Sequence, residues 1–428
     1  MAVTATTSVP GAVRPRRATV PLGRRRAVGG GLLALGLLGS WAFALNVPAG
    51  QHATLGLDAG HAVSLAPLYL PVRTTDLLLC VLAILAGAAL LGRRTGERMY
   101  PILTVGVAAF GMALVVWAAR GAQVSFVGLL ATTLVDAVPL LFGSLSGVMC
   151  ERSGVVNIAI EGQFLAGAFL GAMIGSVTHD LWLGMIAGAA AGAVMGALLA
   201  FLALRYQADQ VIVGVVIVTF ATGLTDFLSN SVLNNHQATL NSPTVFNPIA
   251  IPLLDKIPLV GPIVFTQNVF FYLVIALLVI IQVALTRTRW GLRVRAVGEH
   301  PEAAASVGIS VLAIRYRNVI IGGAIGGLGG ASFTIGSVGQ FTPDLTAGLG
   351  YVALAAMIFG GWRPIAAAGA TLLFGFATSL QSSLGLVTIP IPTEFLLMLP
   401  YVITIVAVAG LVGRVRPPAA DGVPYLPD

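Results

Sequence analysis

Acidic and amide side chains inside apolar stretches are the first places where this sequence could do chemistry. Asp136 lies in TTLVDAVPLLFG, three residues before Pro139, and Glu161 lies in VVNIAIEGQF, four residues after Asn157. A charge near the middle of a bilayer costs roughly 2.5–3.5 kcal/mol on insertion scales, so each such group needs a reason to be there. On a continuous helix Asn157 and Glu161 share a face. Two readings stay open for them: a polar bridge between helices, or the lining of a solute path. Asp136, Asn157 and Glu161 are therefore the candidate pathway residues. Asp226 and Glu394 fall near the ends of apolar segments and are expected to be solvated.

A second polar concentration, TRTRWGLRVRAVGEHPEAAASVGISVLAIRYRN from Thr286 to Asn318, stands between long apolar runs and carries Arg287, Arg289, Arg293, Arg295, Arg315 and Arg317. Its middle has the marks of a short helix from about Pro301 to Val307. Pro301 suits a first helical position, Glu302 faces the positive end of the helix dipole, and Gly308 suits a left-handed stop. Isolated helices shorter than about 12 residues are marginal, so this one is expected to dock against a partner. His300 and Glu302 would mark its N-terminal end, and the small Ala303 and Ala304 would permit close approach.

Other chemistries find little support. A phosphate-cradling loop needs Gly-Lys-Ser/Thr after a strand, and the single lysine is Lys256 in LLDKIP. The serines of GSLSG (143–147) would need a nearby histidine to act as nucleophiles. His52, His61, His179, His236 and His300 all fall in loops. Cys80 and Cys150 sit in or beside apolar segments without metal-ligand spacing and are expected to be packing residues.

The elements that must position these groups are membrane helices. The chain has 428 residues, of which 57% are hydrophobic and 9% charged, against about 25% charged in an ordinary soluble domain. About twelve apolar segments run near 28–47, 76–92, 101–119, 126–149, 156–177, 181–204, 211–228, 268–285, 318–336, 351–361, 365–386 and 394–412. Most reach the ~20 residues that cross a bilayer. The segment 351–361 is short and follows Gly348 and Gly350, so a half-helix and eleven crossings are the alternative. With the N-terminus inside, twenty of the basic residues fall inside and only Arg73, Arg120 and Lys256 outside, which places both termini and the 286–317 loop in the cytoplasm. The net charge of +7 thus follows membrane topology and is no sign of nucleic acid.

Gly188, Gly192 and Gly196 form one small-residue row, and Gly322, Gly326 and Gly330 another; such rows let helices approach closely in lipid. Residues 1–27, rich in Pro, Thr and Arg, read as a disordered cytoplasmic tail. Ala42-Phe43-Ala44 has the small-residue form of a cleavage site, but the apolar stretch there is long enough to span. The loop 229–267, with five prolines, is expected to be ordered irregular structure over the outer mouth.

Three runs carry a family resemblance. CERSGVVNIAIEGQFLAGAF (150–169), WGLRVRAVGEHPEAAASVGIS (290–310) and GQFTPDLTAGLGYVALAAMIFGGWRP (339–364) resemble the permease subunits of bacterial ABC importers in the ribose/nucleoside, or simple sugar, branch. The loop is similar to the first half of the Glu-Ala-Ala-x-x-x-Gly coupling pattern through Glu302, Ala303, Ala304 and Gly308. The Ile-x-Leu-Pro that often follows is missing. The resemblance covers roughly 101–412, leaving 28–100 as a two-helix extension and 413–428 as a cytoplasmic tail. It implies an all-α polytopic membrane protein packed around a central pathway in the bacterial plasma membrane. It also implies an ATP-binding cassette subunit, a second permease subunit and an extracytoplasmic substrate-binding protein as partners. No cofactor would be bound by this chain itself, since ATP is used by the partner subunits. The signature looks closer to nucleoside than to ribose permeases. The competing readings are an ion-coupled secondary transporter, which needs coupling groups in paired discontinuous helices, and an intramembrane enzyme.

Overall fold

Backbone N–H and C=O groups have no water to bond inside a bilayer, so apolar runs of this length must satisfy them internally as helices. In the computed structural model they do. The structure describes residues 22–48, 50–57, 66–92, 99–121, 123–385 and 416–426, with Met398 and Tyr401. Among these, ten helices are long and apolar enough to cross a membrane. They correspond to ten of the twelve expected segments. The short segment forms an 11-residue helix, Leu349–Phe359, about 16 Å long at 1.5 Å per residue and too short to span. The segment expected at 394–412 lies outside the described residues.

By contacts the chain forms two units, Met1–Ala49 with Val72–Leu114, and Gly50–Pro71 with Val115–Asp428. The first unit holds α1 (Leu22–Gly39), α2 (Val72–Leu91) and most of α3 (Met99–Ala118). Inside it α1 packs along α2. Cys80 is a free, buried thiol there.

The second unit holds the polar sites. Its long helices are α4 (Phe126–Glu151), α5 (Ile160–Thr178), α6 (Leu181–Ala200), α7 (Gln210–Leu228), α10 (Val269–Arg287), α13 (Val311–Phe333) and α15 (Pro364–Gly385). Between α7 and α10 the expected irregular loop contains the short helices α8 (Gln237–Leu240) and α9 (Val260–Val264). The polar loop forms α11 (Arg289–Glu299) and α12 (Pro301–Ser306), and α14 is the short Leu349–Phe359 helix. A small sheet, β1 (His52–Gly56) between antiparallel β2 (Leu68–Pro71) and parallel β3 (Gln123–Ser125), occupies loop segments that the sequence did not mark as strands.

Glycine sets the centre of this unit. α13 packs against α4, α5 and α6, and two of its glycine faces allow it. A Cβ at Gly192 of α6 would collide with the Gly323 carbonyl and the Gly327 backbone of α13. A Cβ at Gly322 would meet Cys150 on α4, and one at Gly330 would meet the Phe164 carbonyl on α5. The α6 row 188–192–196 thus faces the 323–327 ridge, while the 322–326–330 row faces α4 and α5.

Two boundaries differ from expectation. α13 starts at Val311, seven residues before the expected 318, and so carries Arg315 and Arg317. Arg315 is fully buried and donates to the Ala420 and Val423 carbonyls of the C-terminal tail. Those acceptors let a guanidinium sit on a packed helix end rather than in an open loop. α5 starts at Ile160 rather than near 156, because Asn157 is held by side chains of the neighbouring helices.

Candidate functional site

Between Glu151 and Ile160 the chain leaves helix and runs back into the protein. Asn157, Ser146 and Gln163 have no exposed surface and bond one another in a closed triad. The Asn157 amide donates to Ser146 Oγ at 3.1 Å and to Gln163 Oε1 at 3.3 Å, and Gln163 Nε2 donates back to Asn157 Oδ1 at 3.2 Å. The triad ties the non-helical segment to α4 and α5. Asn157 precedes α5, so the shared helical face with Glu161 does not form.

Glu161 belongs to a different network. It lies in the first turn of α5, and its carboxylate accepts from the Gly348 and Gly350 backbone N–H groups at 2.9 and 2.6 Å and from the Thr346 hydroxyl. Gly348 stands in the left-handed region, φ +79°, just before α14. A Cβ at Gly350 would lie 2.6 Å from Glu161 Cα, so only glycine admits this approach. The first N–H groups of a helix lack internal partners and carry its positive pole. Two helix N-termini, those of α5 and α14, therefore converge on one buried carboxylate. That compensates the charge without a cationic side chain.

Asp136 is placed apart from both networks. It borders a cavity of about 60 Å³ where α4, α13, α14, α15 and the start of α10 meet. Pro139 lies inside α4 and has no N–H, which frees the Val135 carbonyl beside the cavity. The lining hydroxyls of Ser332, Ser337 and Thr378 each donate to a carbonyl of their own helix. Asn268 is used at both ends, donating to the Gly336 carbonyl and accepting from the Phe271 N–H. Asp136 Oδ2 has no hydrogen-bond partner among the described residues. The cavity thus presents mostly acceptors. Its volume is well below the roughly 300 Å³ of small-molecule pockets.

At the other end of α4, the three sequence runs singled out above meet. Glu151 accepts from Trp362 Nε1, and Arg152 Nε donates to the Trp362 carbonyl at 2.8 Å. A Cβ at Gly298 would collide with the Arg152 carbonyl. α11 rests here through buried Gly291, Val294, Val297 and Gly298. α12 follows with Pro301 in its first turn, and Gly308 closes it at φ +82°. Glu302, Ala303 and Val307 are exposed, Val307 by 73%, and His300 is exposed at the N-cap. Ala304 instead points inward, against Val297 and Val311. It is not open to close approach by a partner, because a six-residue helix must bury one of its two faces against α11 and α13.

Residues 129–408 match the family described as the permease component of the branched-chain amino acid transport system. The chain belongs to this permease family. It is 42% identical over 305 residues to the guanosine ABC transporter permease protein NupQ of Bacillus subtilis, covering 69% of this chain and 95% of the relative. It is 38% identical over 311 residues to the nucleoside ABC transporter permease protein NupC of Lactococcus lactis, covering 70% and 96%. A putative glucose ABC transporter permease protein, TsgC13 of Haloferax volcanii, is 34% identical over 254 residues, or 59% of this chain and 77% of the relative. No solved structure matches. The protein is a multi-pass transport subunit of the ABC importer class, and the ion-coupled alternative is not supported.

Several residues of these polar networks carry no mark in the sequence. Ser146 and Gln163, which complete the Asn157 triad, look like ordinary polar residues of membrane helices. Thr346 lies 185 residues from Glu161. The α11 face could have been found, since Gly291, Val294 and Gly298 repeat at helical spacing.

Proposed function

We propose that this permease forms the membrane path of an ATP-driven importer for nucleosides, with the path passing the Asp136 cavity. The observation that carries this reading is the mostly acceptor lining at the Pro139 break. Such a lining suits a solute rich in donors, as the hydroxyls of a ribose are. The nucleoside relatives add the substrate class. Asn157 and Glu161 hold neighbouring non-helical segments and act on the path through position.

In this reading the loop bearing α11 and α12 faces the cytoplasm, following the positive-inside bias. α12 offers Glu302, Ala303 and Val307 to a separate ATP-binding cassette subunit. The chain supplies no phosphate-binding loop and binds no cofactor; ATP is hydrolysed by that partner. A second permease subunit and an extracytoplasmic binding protein complete the system.

The test is uptake by the assembled importer carrying D136N or D136L. Loss of a buried charge-assisted bond of about 1.5–3 kcal/mol predicts uptake lower by roughly tenfold or more for both. Competition by 2′- and 3′-deoxynucleosides should weaken in the wild type relative to the parent nucleoside. Wild-type kinetics in both variants would remove Asp136 from the path.

A further inference from the structure

The C-terminal tail is bound into the junction beneath α12. Its backbone is held at four points. Ala420 N–H donates to the Gly298 carbonyl at 2.9 Å, and Ala419 N–H to Glu299 Oε2 at 3.2 Å. Arg315, fully buried, donates to the carbonyls of Val423 at 2.9 Å and Ala420 at 3.4 Å. Pro418 and Ala420 are buried. Gly422 turns at φ +75°, where a Cβ would lie 3.3 Å from Val156. Tyr425 packs on the Val297, Ala304 and Val311 cluster, behind α12. Asp421 feels the charge of Arg315, and burial raises its carboxyl above the ordinary value.

One short peptide therefore touches α11, α12 through Ala304, α13 and the segment that leads to Asn157. The contacts are polar and specific, unlike an adventitious apolar seat. A buried guanidinium needs acceptors, and among the described residues those of Arg315 are supplied by the tail. We propose that Pro418–Tyr425 is a positioning element of the coupling junction: it fixes α12 to the segment Arg152–Asn157, so that force on α12 reaches the α5 N-terminus rather than being lost in a loose loop. This rests on the proposed role of α12 as the ATPase contact.

The experiment uses the complete importer in lipid vesicles, with uptake and ATP hydrolysis measured on the same preparation. Three variants perturb the tail: the chain ended after Pro417, Gly422→Val, and Tyr425→Ala. Leu426→Ala, at an exposed side chain beyond the bound segment, is the control. The expected result is a solute-to-ATP ratio lower by about tenfold, the equivalent of one lost buried hydrogen bond, with ATPase recovery unchanged and the control normal. If the shortened chain fails to accumulate, the two point variants decide. An unchanged ratio in Gly422→Val and Tyr425→Ala overturns the proposal. The double variant Ala303→Arg/Val307→Asp tests the α12 reading separately. If it leaves ATPase recovery intact, α12 is not the contact, whatever the tail variants show.

Discussion

Replacing Glu161 by glutamine tests whether this carboxylate is a structural pin. It accepts three hydrogen bonds, from Thr346, Gly348 and Gly350, at the start of α14. E161Q keeps the size and one oxygen. In its better rotamer it still receives Thr346 and Gly348, and its new NH₂ group faces the Gly350 N–H. A buried donor left without an acceptor costs about 1–3 kcal/mol. Loss of the negative charge between two helix N-termini adds up to about 2 kcal/mol. The two terms overlap, so about 3 kcal/mol is the working figure, or roughly 100-fold in the equilibrium that seats α14. The assay is thermal unfolding of the purified permease in detergent, followed by tryptophan fluorescence. E161Q should lower the transition by roughly 5 °C or more, with E161D in between because its carboxylate sits one methylene short. A wild-type transition in E161Q would refute the pin and return Glu161 to the solute path.

Gly192→Val should abolish accumulation of the folded permease, since any side chain there overlaps the α13 backbone, whereas Gly223→Ala, with open space around it, should be neutral by membrane yield and uptake. Tail docking should depend on pH. Burial raises the Asp421 carboxyl to about 7, above its ordinary value of about 4. Its contribution to docking is thus complete below about pH 4 and is lost as pH rises through 7. Hydrogen exchange at 419–425 should speed up across that window in the wild type, and Asp421→Asn should flatten the dependence. Exchange within α10 should be unchanged in D421N.

The spanning helices were legible because lipid admits little else: a run of apolar residues about 20 long must be helical. Ends were harder where polar side chains decide them. Val155 to Ile160 reads as one apolar run with a single amide, and nothing local says that Asn157 will leave the helix to meet Ser146 and Gln163. The α12 caps were readable, since Pro301 and Gly308 act through their own backbones. The buried side of α12 was not, because six residues do not define a face and the residue behind Ala304, Tyr425, lies in a proline-rich tail with no periodicity. The intramembrane position of Glu161 was a clear signal of importance, but its partners are backbone groups far along the chain, and sequence does not show backbone groups converging.

Reconstitution tests the central claim most directly. The permease is placed in proteoliposomes, alone and with its ATPase, second permease and binding protein, and nucleoside uptake is measured with ATP or with an imposed proton or sodium gradient. The account predicts concentrative uptake only in the complete assembly with ATP, and none by this chain alone under either gradient. Gradient-driven uptake by the isolated chain would contradict it.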